Sequence, residues 1–216
     1  MGVVVVVMGC DLGQRQDPTA LAVVEHDERE YPVESRMIPI GGATLVEEQP
    51  PRREMHYVVR HLERLPLMTS YPDVAKRVAK MAGDVQARSG GRTPRLYVDA
   101  TGVGTPVVDS LKQARVPASI RPVFFNHGDK FTSHDGEYRM GKAFLVSRLQ
   151  VLLQNRQLHL PETAEARALH SELLDYEIHI DERGSDTYGA FRVGRHDDLC
   201  TAVGLAILPV RIARAY

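Results

Sequence analysis

The sequence predicts an α/β fold built around a mixed β-sheet. Three observations predict it. The chain opens with three strand-like segments; strand and helix patterns then alternate to the C-terminus; and 43% hydrophobic content over 216 residues is enough for one sizeable core. A single domain spanning 1–216 is expected. With 27 basic against 28 acidic side chains the formal net charge is −1, which excludes a histone-like polycation and an acidic disordered tail. It does not exclude nucleic-acid binding, because net charge says nothing about where the charges sit.

The β-branched run from Val3 to Met8 is the pattern of a strand buried on both faces. Ala20 to Val24, after the turn-like Gln16-Asp17-Pro18, is its expected hairpin partner. Residues 33–40 supply a third strand. Gly41 to Glu54, with Gly41-Gly42 and Pro50-Pro51, reads as an exposed loop. From Met55 to Leu65 helical and strand periods compete, and the alternation of Met55, Tyr57 and Val59 favours a strand. Val74, Val78, Met81 and Val85 mark an amphipathic helix that opens near Ser70 and Pro72 and closes at Gly90-Gly91.

Arg95 to Val98 forms a short strand ending at Asp99, and Thr101 to Gly104 turns into a helix over 105–114. Ser119 to Phe125 is a further strand, 126–140 a polar loop, and 142–156 and 162–175 are helices. Tyr176–Ile180 and Ala190–Val193 pattern as a late β-hairpin around Gly184-Ser185, and the last helix starts at Asp197.

Cys10 and Cys200 lie far apart with no CxxC spacing, which argues against a disulfide scaffold or a structural zinc site. The run Val3–Val7 has no basic segment before it and is interrupted by Cys10-Asp11, unlike a signal peptide. It is also far shorter than the roughly 20 apolar residues of a membrane helix. A soluble, non-secreted domain is expected.

The chemistry is carried by acids at the ends of apolar elements. Asp11 ends the first strand, Asp99 ends the strand after the first helix, and Asp197-Asp198 opens the final helix. If the strands that end in Asp11 and Asp99 are neighbours they lie about 4.8 Å apart. Carboxylates at their ends could then share a divalent ion, and a third from a helix would complete a hard oxygen site suited to magnesium or manganese. Glycines beside these acids, in Gly9-Cys10-Asp11-Leu12-Gly13 and Asp99-Ala100-Thr101-Gly102-Val103-Gly104, allow close approach of a phosphate or metal. Taken singly, each acid also fits a turn former or helix N-cap.

The motifs Gly9 to Gly13 with Asp17-Pro18-Thr19-Ala20-Leu21, Tyr97 to Gly104, and His196-Asp197-Asp198-Leu199 with Ala202 resemble the nuclease domain of tailed-bacteriophage large terminase subunits, the DNA-packaging motor proteins. The stretches Gly141-Lys142 through Pro161 and Glu172 to Tyr176 are similar to that family as well. The resemblance spans nearly the whole chain and is weakest over 30–70. It implies a ribonuclease-H-like sheet of three antiparallel strands extended by parallel ones. It also implies cleavage of double-stranded concatemeric viral DNA by a two-metal-ion mechanism with two Mg2+ or Mn2+, leaving 5′-phosphate and 3′-hydroxyl ends. Asp11, Asp99 and Asp197 would be the catalytic metal ligands, and Asp198 an auxiliary ligand or a supporting group. The expected partners are DNA, a packaging ATPase domain, the portal and the small terminase subunit, in the host cytoplasm and with no membrane. Gly136 to Ala143 has the spacing of a phosphate-binding loop but ends in Ala where Ser or Thr should hold magnesium, so the chain is expected to be the nuclease portion alone.

Setting Asp11, Asp99, Asp197 and Asp198 aside as metal-neutralised moves the formal charge from −1 to +3. Salt-sensitive phosphate binding rather than tight base reading follows. Candidate DNA contacts are Lys130, Arg139, Lys142, Arg192 and Arg195. Lys142 shares the helical stripe of Leu145, Val146, Leu149, Leu152 and Leu153, so it could reach a phosphate from the helix start or simply snorkel to solvent. His196 could position a phosphate, or only pack or cap.

Three other readings compete. Asp11-Leu12-Gly13 and Asp99 to Gly104 also resemble the phosphate segments of actin-like ATPases and sugar kinases, although 216 residues leave little room for the two domains those need. A Holliday-junction resolvase would share the acid layout. A non-catalytic DNA-docking module could keep the fold without turnover.

Overall fold

The computed structural model describes residues 5–13, 17–41, 43–101, 104–126, 131–134, 137–175, 177–180, 186–189 and 196–208. In chain order the elements are β1 (Val5–Asp11), β2 (Ala20–Tyr31), β3 (Glu34–Ile40), β4 (Ala43–Gln49), β5 (Arg52–Arg64), α1 (Tyr71–Arg88), β6 (Arg95–Asp99), α2 (Gly104–Gln113), β7 (Ser119–Asn126), β8 (Phe131–His134), β9 (Glu137–Gly141), α3 (Lys142–Gln154), β10 (Leu158–His159), α4 (Ala164–Asp175), β11 (Glu177–Ile180), β12 (Asp186–Gly189) and α5 (Asp198–Ala206). Among the described residues eight strands form one sheet in the order β10-β5-β2-β1-β6-β7-β9-β8. β2 runs antiparallel to both of its neighbours, β5 and β1, and β1, β6, β7 and β9 run parallel. This is the ribonuclease-H-like mixed sheet that the sequence resemblance implied. No helix among the described residues is long and apolar enough to cross a membrane.

β1 sits in mid-sheet because both of its faces are apolar. Val7 packs into the core beneath α3, α4 and α5, while Met8 and Cys10 join the opposite core under α1 and α2. α5 is buried from Asp198 to Ala206 and lies directly on β1: a Cβ built at Gly9 would collide with the carbonyl oxygen of Ala202. Its C-terminal carbonyls are also satisfied. His26 Nε2 donates to Ala206 O at 2.7 Å, and Arg148 Nε donates to Ile207 O at 3.2 Å. α1 begins and ends as expected, with Ser70 as N-cap and Gly90 and Gly91 at φ of 69° and 83°.

Several expectations are corrected. The third antiparallel strand of the main sheet is β5, not 33–40; β3 pairs with β4 in a separate two-stranded sheet. Gly41 to Glu54 is therefore no loop. Gly41 and Pro50-Pro51 flank β4, whose Thr44-Leu45-Val46 is strand-forming. The supposed loop 126–140 contains β8 and β9, held by aromatic contacts: Phe131 stacks on Tyr138 at 5.8 Å and on Phe144 at 5.7 Å between ring centroids. In the late hairpin β11 pairs with Asp186–Gly189, because Ile180 opposes Asp186 across the short connection. Gly184-Ser185 and Ala190–Val193 lie outside the described residues.

Candidate active site

The parallel pairing of β1 and β6 sets Cys10 beside Val98. One residue further on, both strands end, in Asp11 and Asp99. Strand alternation turns both carboxylates to the face of Val7 and Tyr97, which is the face α5 covers. Asp99 is fixed by its own turn: its Oδ1 accepts the Thr101 N–H at 2.8 Å, and Thr101 Oγ1 accepts the Phe125 N–H at 2.7 Å. Asp99 is thus a turn former as well as a member of the acidic group.

The third acid arrives on α5. Asp197 occupies the N-cap position, and its Oδ2 accepts a hydrogen bond from Lys142 Nζ at 2.9 Å. Lys142 is the first residue of α3 and lies 5.7 Å from the centre of the Phe125 ring. Burial, reinforced by the charges of Asp99 and Asp197, pushes the Asp11 carboxyl well above the usual carboxylate range, and Lys142 offsets this only in part. Burial raises Asp99 too, against the Thr101 hydrogen bonds and Lys142. For Lys142 burial alone would lower the pKa, but Asp197, Asp11 and Asp99 outweigh it and the net shift is upward. The ammonium therefore stays charged.

Among the described residues no three His, Cys, Asp or Glu side chains are already gathered closely enough to hold a metal ion; the Asp197 carboxylate is drawn to Lys142. The donor chemistry nonetheless fits a hard divalent cation. Three carboxylates face one ammonium, and their uncompensated charge adds to burial in raising Asp11 and Asp99.

Asp198 is held differently. It is buried, and both of its oxygens are engaged by Arg64, the last residue of β5: Nε donates to Oδ2 at 2.7 Å and a terminal nitrogen to Oδ1 at 3.1 Å. That same nitrogen pairs with Glu172 Oε1, and Glu172 Oε2 accepts the Cys200 N–H at 2.8 Å. Burial, with a contribution from Asp198, pushes the Glu172 carboxyl up to about 8 despite Arg64 and the Cys200 N–H. Burial also raises Asp198, with Arg64 opposing.

The structure thus brings together Asp11, Asp99, Asp197 and Lys142, with Asp198 adjoining them and adding its charge to the field on Asp11. His196 Nδ1 donates to Asp17 Oδ1 at 3.4 Å and so pairs with the loop before β2. Arg139 is exposed on β9, in register with Phe124 and Thr132. Lys130, Arg192 and Arg195 lie outside the described residues. Sequence reasoning missed Arg64 and Glu172. For Glu172 a signal existed: it follows Ala166 and Leu169 at a spacing of three on the buried face of α4, where a lone carboxylate needs a partner. Nothing local marks Arg64.

No protein-family model and no curated protein matches the chain. Solved structures do. The chain is similar to the large terminase nuclease from thermophilic phage G20c with bound magnesium, at 19% identity and a TM-score of 0.61, covering 95% of this chain and 82% of that one. It is similar to the Thermus phage P74-26 large terminase nuclease domain at 17% identity and a TM-score of 0.59, over 94% and 78% of the two chains. A manganese-soaked human cytomegalovirus terminase nuclease domain matches at 16% identity and a TM-score of 0.52, over 93% and 80%. The chain has the fold of the large terminase nuclease domains.

Proposed function

We propose that the chain is a divalent-metal-dependent endonuclease that cuts double-stranded concatemeric viral DNA during genome packaging. The observation that carries this reading is the placement of Asp11 and Asp99 side by side at the ends of neighbouring parallel strands, with Asp197 brought to them at the start of α5. The likeness in fold to terminase nuclease domains, one described with bound magnesium and another as manganese-soaked, supports it.

Asp11, Asp99 and Asp197 would hold two Mg2+ or Mn2+, with Asp198 contributing charge while Arg64 engages its oxygens. Bound there, the ions would activate water and stabilise the leaving oxygen of an in-line phosphodiester hydrolysis. The chain's own residues prepare the place. The Thr101 N–H fixes the Asp99 carboxylate, and the rigid strand ends set the spacing between Asp11 and Asp99. Lys142 brings a permanent positive charge to where the scissile phosphate would sit, able to orient it and balance its charge. Arg139, Lys130, Arg192 and Arg195 are proposed to hold the DNA backbone through salt-sensitive phosphate contacts. His196 is proposed to support that loop region through Asp17. The unit would work beside a packaging ATPase, the portal and the small terminase subunit in the host cytoplasm.

Plasmid cleavage with Mn2+, Mg2+ or EDTA, run beside Asp11→Ala, tests the reading. Metal-dependent nicking that the variant lacks is expected. Folded wild-type protein that cuts with neither metal would overturn it.

A further inference from the structure

We infer that Glu172, oriented by Arg64, caps α5 in place of Asp197 and so leaves the Asp197 carboxylate free for the site. The inference rests on the metal-site reading above and names two positioning residues for it.

An N-cap side chain ordinarily accepts an N–H from the second or third helical residue. α1 does this: Ser70, at φ −69° and ψ 148°, accepts the Asp73 N–H. α5 does not. Asp197 sits at φ −124° and ψ 15°, outside the extended conformation of a capping residue, and its side chain makes no capping hydrogen bond. The N–H of Cys200, the third helical residue, is taken instead by Glu172 Oε2 at 2.8 Å from α4.

Arg64 makes the arrangement rigid. Its planar fork grips both oxygens of Asp198, the first helical residue, and one of its nitrogens also pairs with Glu172 Oε1. The end of β5, the middle of α4 and the start of α5 are thereby tied at one guanidinium. Asp198 and Cys200 are both held from behind, and Asp197 is left to turn its carboxylate to Lys142. Without Glu172 the Cys200 N–H would be a buried orphan, and with both oxygens of Asp198 engaged by Arg64 the nearest other carboxylate in sequence is Asp197. Drawing Asp197 into that role would take it out of the site.

The test is Mn2+ binding by calorimetry on the full chain, comparing wild type, Asp11→Ala, Glu172→Leu, Glu172→Asp and Glu172→Gln. Glu172→Leu removes the acceptor, and Glu172→Asp withdraws it by one methylene. Each should weaken Mn2+ binding by about tenfold or more, as loss of a group that orients a ligand does. Glu172→Gln keeps an acceptor for the Cys200 N–H and should restore most of the affinity, a rescue that a merely space-filling residue would not give. Amide exchange at Cys200 should be slow in the wild type with or without Mn2+, and should quicken on adding Mn2+ only in Glu172→Leu, or in Glu172→Asp should the leucine variant not fold. Mn2+ binding by either of these variants within about threefold of wild type would overturn the inference. Absence of binding by the wild type, or equal binding by Asp11→Ala, would instead overturn the site reading and the inference with it.

Discussion

Lys142 and Asp197 meet in a 2.9 Å ion pair between the first residue of α3 and the N-cap of α5. The pair places a fixed ammonium among the carboxylates proposed to hold a divalent ion, where it would repel the metal and attract the phosphate. Lys142→Met should therefore separate two properties. Mn2+ binding should tighten by roughly three- to tenfold at low salt, a modest gain because the pair is partly exposed. Plasmid cleavage at saturating Mn2+ should fall. Calorimetry and nicking assays on the same preparation read both; weaker Mn2+ binding in the variant would count against the repulsion.

Burial pushes both the Asp11 and the Asp99 carboxyls upward, and repulsion from neighbouring acids, Asp99 and Asp197 on Asp11 and Asp197 on Asp99, adds to it. An acid whose folded pKa is raised contributes stability that is fully present below its unfolded value, about 4, and is lost as pH rises through the folded value. At neutral pH and without metal these acids are thus a liability. Asp11→Asn should raise the melting temperature in EDTA, abolish cleavage, and remove most of the further stabilisation that Mn2+ gives the wild type. Melting curves with EDTA and with Mn2+ decide it; a variant less stable than wild type in EDTA would contradict the repulsion.

Much of this site was legible because its acids end apolar runs. The β-branched segment before Asp11 and the short strand before Asp99 admit only a buried strand, so their parallel pairing places the two acids together. The third strand was misread because alternation in 33–40 is as good as in β5; the choice between them depends on which can cover β2, a question of tertiary packing. Phe131, Tyr138 and Met140 were lost in a polar stretch for a related reason. Their hydrophobic contacts are with one another and with α3, at separations that no local period reveals. Asp198 was expected from the resemblance to be an auxiliary ligand or a supporting group; helix geometry turns successive residues about 100° apart, and beside Asp197 it faces Arg64.

His26 is buried against Ala206 O and the edge of the Tyr57 ring, and burial lowers its pKa from 6.5 to about 4. The unfolded chain takes up this proton near pH 6.5 and the folded protein only near 4. The stability it contributes is therefore fully present above pH 6.5 and lost as pH falls towards 4, by roughly 3 kcal/mol. His56 and His159 are shifted downward by burial as well and add to the slope. Urea unfolding of wild type and His26→Gln across pH 4 to 7 isolates the His26 share. The variant, which keeps an N–H for Ala206 O, should lose markedly less stability over that range. Parallel profiles would place the acid sensitivity elsewhere.

Gly9 lies two residues before Asp11, where α5 crosses β1 so closely that a Cβ would overlap the Ala202 carbonyl oxygen and crowd the Ala206 nitrogen. The atoms it meets are all backbone of α5, so no flexible side chain can give way. Gly9→Ala must lift α5 off the sheet, at a cost of about 3 kcal/mol in urea unfolding. The displacement acts on the site directly, since Asp197 rides on the start of α5 and Asp11 is fixed to β1. Cleavage should drop far more than the folded fraction does, and cooling, which restores folding, should not restore it. Gly204→Ala serves as the comparison, because the atoms it would meet belong to the Leu145 side chain, which can shift. It should cost less stability and leave cleavage nearer wild type. Equal loss of activity in both would mean that general loosening of α5, and not its height above Gly9, sets the distance between Asp11 and Asp197.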